Sequence, residues 1–162
     1  GQRILLELQF EDTGGRLSAP IPASFRSAQR TPRDIRFLWS GDMVGQGWGI
    51  NPAFGGCRIF ETMRRREPDF FIHSGDTIYA DGPIKAEVAL PDGSTWKNIV
   101  TEEKSAVAQT LHQFRGAYRY NLMDENVRRF SAQVPTVCMS MAIIAATNGR
   151  WSPKATASRM KG

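Results

Sequence analysis

Asp69-Phe70-Phe71-Ile72-His73-Ser74-Gly75-Asp76-Thr77-Ile78-Tyr79-Ala80-Asp81 is the stretch from which the rest of the sequence can be ordered. Its first half is a short apolar run, rich in aromatic and β-branched residues and bounded by turn formers, and reads as a buried strand. The run breaks at Ser74-Gly75-Asp76, where glycine lets the backbone turn with φ > 0 or come close to a ligand. Asp76 then stands at the carboxyl end of a buried strand, where open α/β sheets place their ligand sites. Asp76, Tyr79 and Asp81 all offer oxygen, the donor that hard cations prefer. Two readings stand at this point: Asp76 as a metal ligand, or Asp76 as a cap of the following turn.

Asp34 to Ser40 is a second strong strand (Ile35, Phe37, Leu38, Trp39), and it ends in the same Ser-Gly-Asp, here Ser40-Gly41-Asp42. The glycine-rich Gly45-Gln46-Gly47-Trp48-Gly49 that follows lacks the lysine and Ser/Thr of a phosphate-cradling loop. Cys57 to Arg66 shows a helical face at Ile59, Phe60 and Met63, stopped by Pro68. Strand, loop, helix, strand is a βαβ unit, expected to be parallel and right-handed. It sets Asp42 and Asp76 on one rim, which favours the metal reading.

Downstream, residues 82–98 form a long irregular connection with a turn signal at Pro91-Asp92-Gly93. Thr101 is predicted to cap a helix whose buried face runs through Val107, Leu111, Phe114 and Tyr118. Arg115 and Arg119 follow that face, placed either to reach a phosphate or to pair with carboxylates at the edge of the core. Asp124 to Phe130 reads as a second short helix and Val134 to Cys138 as a last strand. His73 lies just before the site and reads as a packed, hydrogen-bonded residue in preference to a ligand.

Upstream, Ile4–Phe10, Leu17–Ile21 and Ala23–Ser27 read as three short strands, with a turn over residues 11–15. Three strands cannot bury a core alone, so residues 1–30 are read as the remnant of a small β-sandwich followed by a linker. Residues 139–162 turn small, polar and basic after a short apolar run, and read as a disordered tail.

The chain has 162 residues, 41% hydrophobic and 23% charged, the balance of a globular protein with a real core. No apolar run nears the roughly 20 residues that span a bilayer, and no basic-then-apolar leader opens the chain. It begins at Gly1, within what reads as a strand, which points to an excerpt of something longer. A net charge of +5 invites an anionic partner. The basic residues are scattered, however, apart from Arg64-Arg65-Arg66, and the last carboxylate is Glu125, so a solvated surface is favoured. Cys57 and Cys138 match no zinc spacing.

The run from Phe37 to Asp42, the glycine loop to Gly49, and Asp69 to Asp81 together resemble the alkaline phosphatase D family, a branch of the calcineurin-like metallophosphoesterases. Phe114-Arg115-Gly116-Ala117-Tyr118-Arg119-Tyr120 is similar to that family's tyrosine-arginine helix. The opening strands resemble the close of its N-terminal β-sandwich, and the likeness covers about residues 1–137. It implies an α/β fold: the first half of an α/β/β/α domain over residues 31–138. It implies a dinuclear hydrolase of phosphate monoesters or diesters, with iron and calcium as cofactors. Asp76 matches the metal-bridging aspartate and Tyr79 the tyrosine whose phenolate binds iron. Asp42 takes a ligand position where better-known members carry cysteine. Arg119 is a candidate phosphate contact without a matching family role. Action outside the cytoplasm is expected from the family; the chain is read as a monomer, with nucleic acid entering only as a phosphodiester substrate.

The likeness stops after Cys138. The family follows this strand with an Asp-Asp-His-Glu segment that supplies further ligands, whereas this chain reads Met139-Ser140-Met141-Ala142-Ile143-Ile144. A shift of reading frame is one explanation, because codons for Met141 to Ile144 moved back by one nucleotide can encode Gly-Asp-His. Truncation with an unrelated tail is the other. The chain is therefore expected to be weakly active or inactive. A non-catalytic basic binding module and a gene fragment without function are the alternatives, and half of a two-sheet domain would leave an apolar face uncovered.

Overall fold

A computed structural model describes residues 1–28, 30–43 and 47–138 of the chain. The expected tail, 139–162, and the first two residues of the glycine loop lie outside the described residues. Among the described residues seven strands and three α-helices follow one another in a mixed α/β arrangement: β1 (Arg3–Leu8), β2 (Ile21–Arg26), β3 (Phe37–Ser40), α1 (Arg58–Arg64), β4 (Phe70–His73), β5 (Glu87–Ala89), β6 (Thr95–Lys97), α2 (Leu111–Asn121), α3 (Glu125–Gln133) and β7 (Thr136–Cys138).

Central to the fold is a three-stranded sheet in the order β3-β4-β7, parallel throughout. Phe37 pairs with Phe70 and Ser40 with His73, so the two Ser-Gly-Asp turns leave the sheet side by side. Parallel pairing needs a crossover of a dozen or more residues, which α1 supplies between β3 and β4, as expected. Alternation along β4 sends Phe71 and His73 to one face, where they are 2% and 5% exposed. There α1 and α3 pack over Phe71, Phe130 and Val134, flanked by Leu38, Phe60 and Met63. Phe130 meets Phe60 and Phe71 edge-on, each pair 5.4 Å between ring centroids. On the other face Phe37, Trp39 and Val137 are 53%, 69% and 56% exposed, with Phe37 stacked on Phe70. No described element covers that face.

Asp124 joins the two covering helices. Its buried carboxylate caps α3 by accepting from the Val127 amide (3.0 Å) and accepts from the Cys57 amide at the start of α1 (2.8 Å). Burial, with Asp124 beside it, pushes the Cys57 thiol up to about 11, so it packs as a neutral group. Helix α1 ends where Glu67 takes a positive φ of 47° before Pro68.

Helix α2 departs from expectation. Thr110 caps it, in a capping box with Gln113, while Thr101 stands before a 3₁₀ turn over Glu102–Lys104. Its buried face is Gly116, Ala117 and Tyr120, whereas Leu111 is 64% exposed. The cause is close approach: a Cβ on Gly116 would stand 2.3 Å from Glu103 Cβ, so the small residues face inward. Tyr120 anchors a second core with Ile50 and Ile84, accepting from the Ile50 amide (2.9 Å) and donating to the Ile99 carbonyl (2.6 Å).

The connection expected to be irregular contains the β5–β6 hairpin, turned at Gly93 with φ of 83°. The N-terminal segment holds two paired strands, not three. Residues 17–21 contribute the single bridge Glu11–Leu17 and the first residue of β2. Most of this hairpin is exposed, Leu5 at 74%, in keeping with a segment that buries no core alone. No helix among the described residues is long and apolar enough to cross a membrane.

Phe130→Ala should cost about 3–5 kcal/mol, a large share of a total near 5–15 kcal/mol. Trp39→Ala, on the open face, should cost only about 0.5–1.5 kcal/mol, for the lost bond from Nε1–H to Ser74 Oγ. Urea midpoints at constant m-value check both. Equal losses would mean that the helix-covered face is not the core.

Candidate active site

Two turns that look alike in the sequence do different work. After β3, Asp42 Oδ1 accepts the Asp76 amide at 2.8 Å, and the Met43 amide returns to the Asp76 carbonyl at 2.9 Å. The turns are thus stitched to each other at the carboxyl rim of adjacent parallel strands. Gly75 is required by that contact: a Cβ there would lie 2.2 Å from Asp42 Oδ1 and 2.7 Å from the Asp42 amide nitrogen. At Gly41 a Cβ would meet nothing within 4 Å. Asp76 is buried, and Asp42 keeps its second carboxylate oxygen uncommitted to that bond.

Beyond Asp76 the chain is held from several sides. Asn121 donates to the Thr77 carbonyl (2.8 Å), and the Ala108 amide donates to the Ala80 carbonyl (2.8 Å). Lys104, only 6% exposed, sends Nζ to the carbonyls of Tyr79 (2.5 Å) and Gly82 (3.1 Å). Burial lowers the Lys104 pKa, an effect that Asp81 opposes. Sequence reasoning missed this residue, because Glu102-Glu103-Lys104 has the look of a solvated charge run. The Tyr79 phenol is pushed above its ordinary range by burial first, then by the carboxylates of Asp42 and Asp76. Tyr79 therefore feels the same two acids that share the rim.

The other expected residues divide. Asp81 is exposed. Arg119 donates to Glu103 at 2.8 Å, the carboxylate pairing foreseen as its other role. His73 is packed as expected, its ring 5.8 Å from that of Phe71, but its buried Nδ1 has no hydrogen-bond partner. In the basic cluster, Arg64 and Arg65 both bond Glu61, holding its carboxyl down at about 2.

Among the described residues no group of three or more His, Cys, Asp and Glu side chains is placed to hold a metal ion. What the rim does gather is two carboxylates and a phenol whose proton a cation would displace. Such an all-oxygen set fits one hard cation by its chemistry, and falls short of a closed dinuclear site.

The family model described as PhoD-like phosphatase matches residues 37–140. The match starts at the first residue of β3 and takes in both Ser-Gly-Asp turns. No curated protein and no solved structure matches the chain.

Gly75→Ala should destabilise the chain by about 1–3 kcal/mol and expose the Asp76 amide to exchange, while Gly41→Ala stays within about 0.5 kcal/mol. Thermal melts and amide exchange of the pair test this; two equally tolerated alanines would show that the turns are not in contact. Tyr79 gives a pH signature. Its folded pKa is raised, so its contribution to stability is present below the ordinary value of 10.0 and lost as pH rises through the raised value. Between pH 9 and 11, Tyr79→Phe should lose less stability than the parent chain in chemical denaturation. An identical decline in both would put Tyr79 in open solvent.

Proposed function

The chain belongs to the PhoD-like phosphatase family, and on that premise we propose that it carries the first half of a metal-dependent phosphoric ester hydrolase acting on phosphate monoesters or diesters. The supporting observation is the bond from the Asp76 amide to Asp42 Oδ1, which draws two strand-end carboxylates together with Tyr79 three residues on. In this reading Asp42, Asp76 and Tyr79 would hold the metal, with iron and calcium as the family's cations. A bound cation polarises a phosphoryl oxygen and lowers the pKa of water, which is the chemistry the site needs.

The chain's own residues prepare that site. Asp42 accepts the Asp76 amide through Oδ1, and its carboxylate also interacts with the Tyr79 phenol. Tyr79 stays protonated until positive charge arrives, since a nearby cation inverts the local pKa logic. Lys104, Asn121 and the Ala108 amide fix the backbone that carries Tyr79, so little ordering remains to be done on binding. Arg119 would reach a phosphate only by leaving Glu103. With two carboxylates and a phenol as its donors, the chain should hold metal weakly and turn over slowly or not at all.

Residues 31–138 are assigned to the first half of a calcineurin-like domain and residues 1–30 to the end of a preceding β-sandwich. Residues 139–162 are assigned to an aberrant tail, for which sequencing of the underlying DNA distinguishes a shifted frame from a truncation. The family also favours an extracytoplasmic site of action.

Two measurements test the reading. Calcium or iron should raise the thermal stability of the chain, by about 2.7 kcal/mol at a hundredfold excess over Kd, and Asp76→Asn should abolish the rise. A flat response in the parent chain at every metal concentration would sink the metal assignment. Hydrolysis of a chromogenic phosphodiester should be at or barely above the blank. Brisk turnover lost in Asp76→Asn would instead make the half-site sufficient for catalysis.

A further inference from the structure

A cavity of about 240 Å³ lies beside the rim, on the helix-covered side of the sheet. Its walls are largely carbon, from Trp48, Phe54, Phe60, Met63, Phe71 and Trp96. Trp96 closes one side, its ring 5.9 Å from that of Trp48 and 5.0 Å from that of Phe54. Phe54 is half exposed, at 54%, so the space is reachable from solvent at that edge.

Polar side chains, Ser40, Asp42 and His73 among them, break the apolar lining. Asp42 also lines the cavity, which therefore reaches the turn after β3. His73 lines it from the sheet, 5% exposed, with Nδ1 lacking any hydrogen-bond partner. Apolar lining left in contact with water is costly, and covering it with a ring is favourable. An apolar cavity of about 150 Å³ already takes up benzene from water. The larger space here accommodates an aromatic ring with a substituent.

We propose that this cavity receives the organic group of the phosphate ester, and that the substrates are esters of ring-bearing, apolar alcohols. The ring would sit among Trp48, Phe54 and Trp96, with the phosphate at the Asp42 side of the cavity, held through the cation proposed for that rim. The assignment rests on the phosphoesterase reading of the rim, because it takes Asp42 as the junction between phosphate and ring.

Phenylphosphonate, methylphosphonate and benzyl alcohol separate the two ideas, titrated into the full chain with calcium present and followed by tryptophan fluorescence and calorimetry. Phenylphosphonate should bind at least tenfold more tightly than methylphosphonate. Ile59→Trp, which fills the cavity from a position 61% exposed on α1, should reduce that preference to within twofold without lowering Tm appreciably. His73→Phe should act in the same direction, which guards against one variant misfolding. Equal affinity for the two phosphonates in the parent chain overturns the cavity proposal and leaves the phosphate site standing. Binding of benzyl alcohol with no binding of either phosphonate overturns the ester assignment through failure of the phosphate reading. A preference for the ring that survives both filling variants also overturns it.

Discussion

The bond from the Asp76 amide to Asp42 Oδ1 is the constraint on which the site depends. It works because β3 and β4 are parallel neighbours in register, so that two turns of the same sequence emerge at the same height. It tolerates no side chain at Gly75, where the backbone of one turn presses on the other. Secondary structure alone would bring the carboxylates to the same edge. The hydrogen bond and the missing Cβ bring the two turns into contact, and Tyr79 feels both acids.

Much of this was legible in the residues. Aromatic and β-branched runs ending in Ser-Gly-Asp gave strands, and a helical face between them gave the parallel pairing. Asp92-Gly93 gave its turn. Helix α2 was misread for a physical reason: larger apolar residues were expected inside, but the closest packing goes to Gly116 and Ala117, which let Glu103 approach. Periodicity weighs hydrophobicity and not the distance between backbones. Lys104 and Asp124 were invisible for another reason. A lysine among glutamates and an aspartate before a helix look like surface, and only the tertiary fold turns them into a buried clamp and a shared cap. Likewise the two glycines of the paired turns cannot be ranked without coordinates.

The sheet is stabilised unequally. One face is closed by α1 and α3 around Phe71 and Phe130, at 2% and 1% exposure, and the other shows Phe37, Trp39 and Val137 to solvent. Parallel sheets are ordinarily covered on both faces, because their strands are apolar on both. The hydrophobic stabilisation of the sheet therefore comes mainly from one layer of packing. The N-terminal hairpin adds little, being exposed over most of its length.

Trp39 links the open face to the rim. Its ring is 69% exposed on that face, and its Nε1–H donates to Ser74 Oγ at 2.8 Å, inside the turn that precedes Asp76. Anything that packs over the sheet must press on this indole, and any displacement of the turn must move it from the other side. The open face and the turn at the rim thus share one side chain, and any coupling between them through it would be reciprocal.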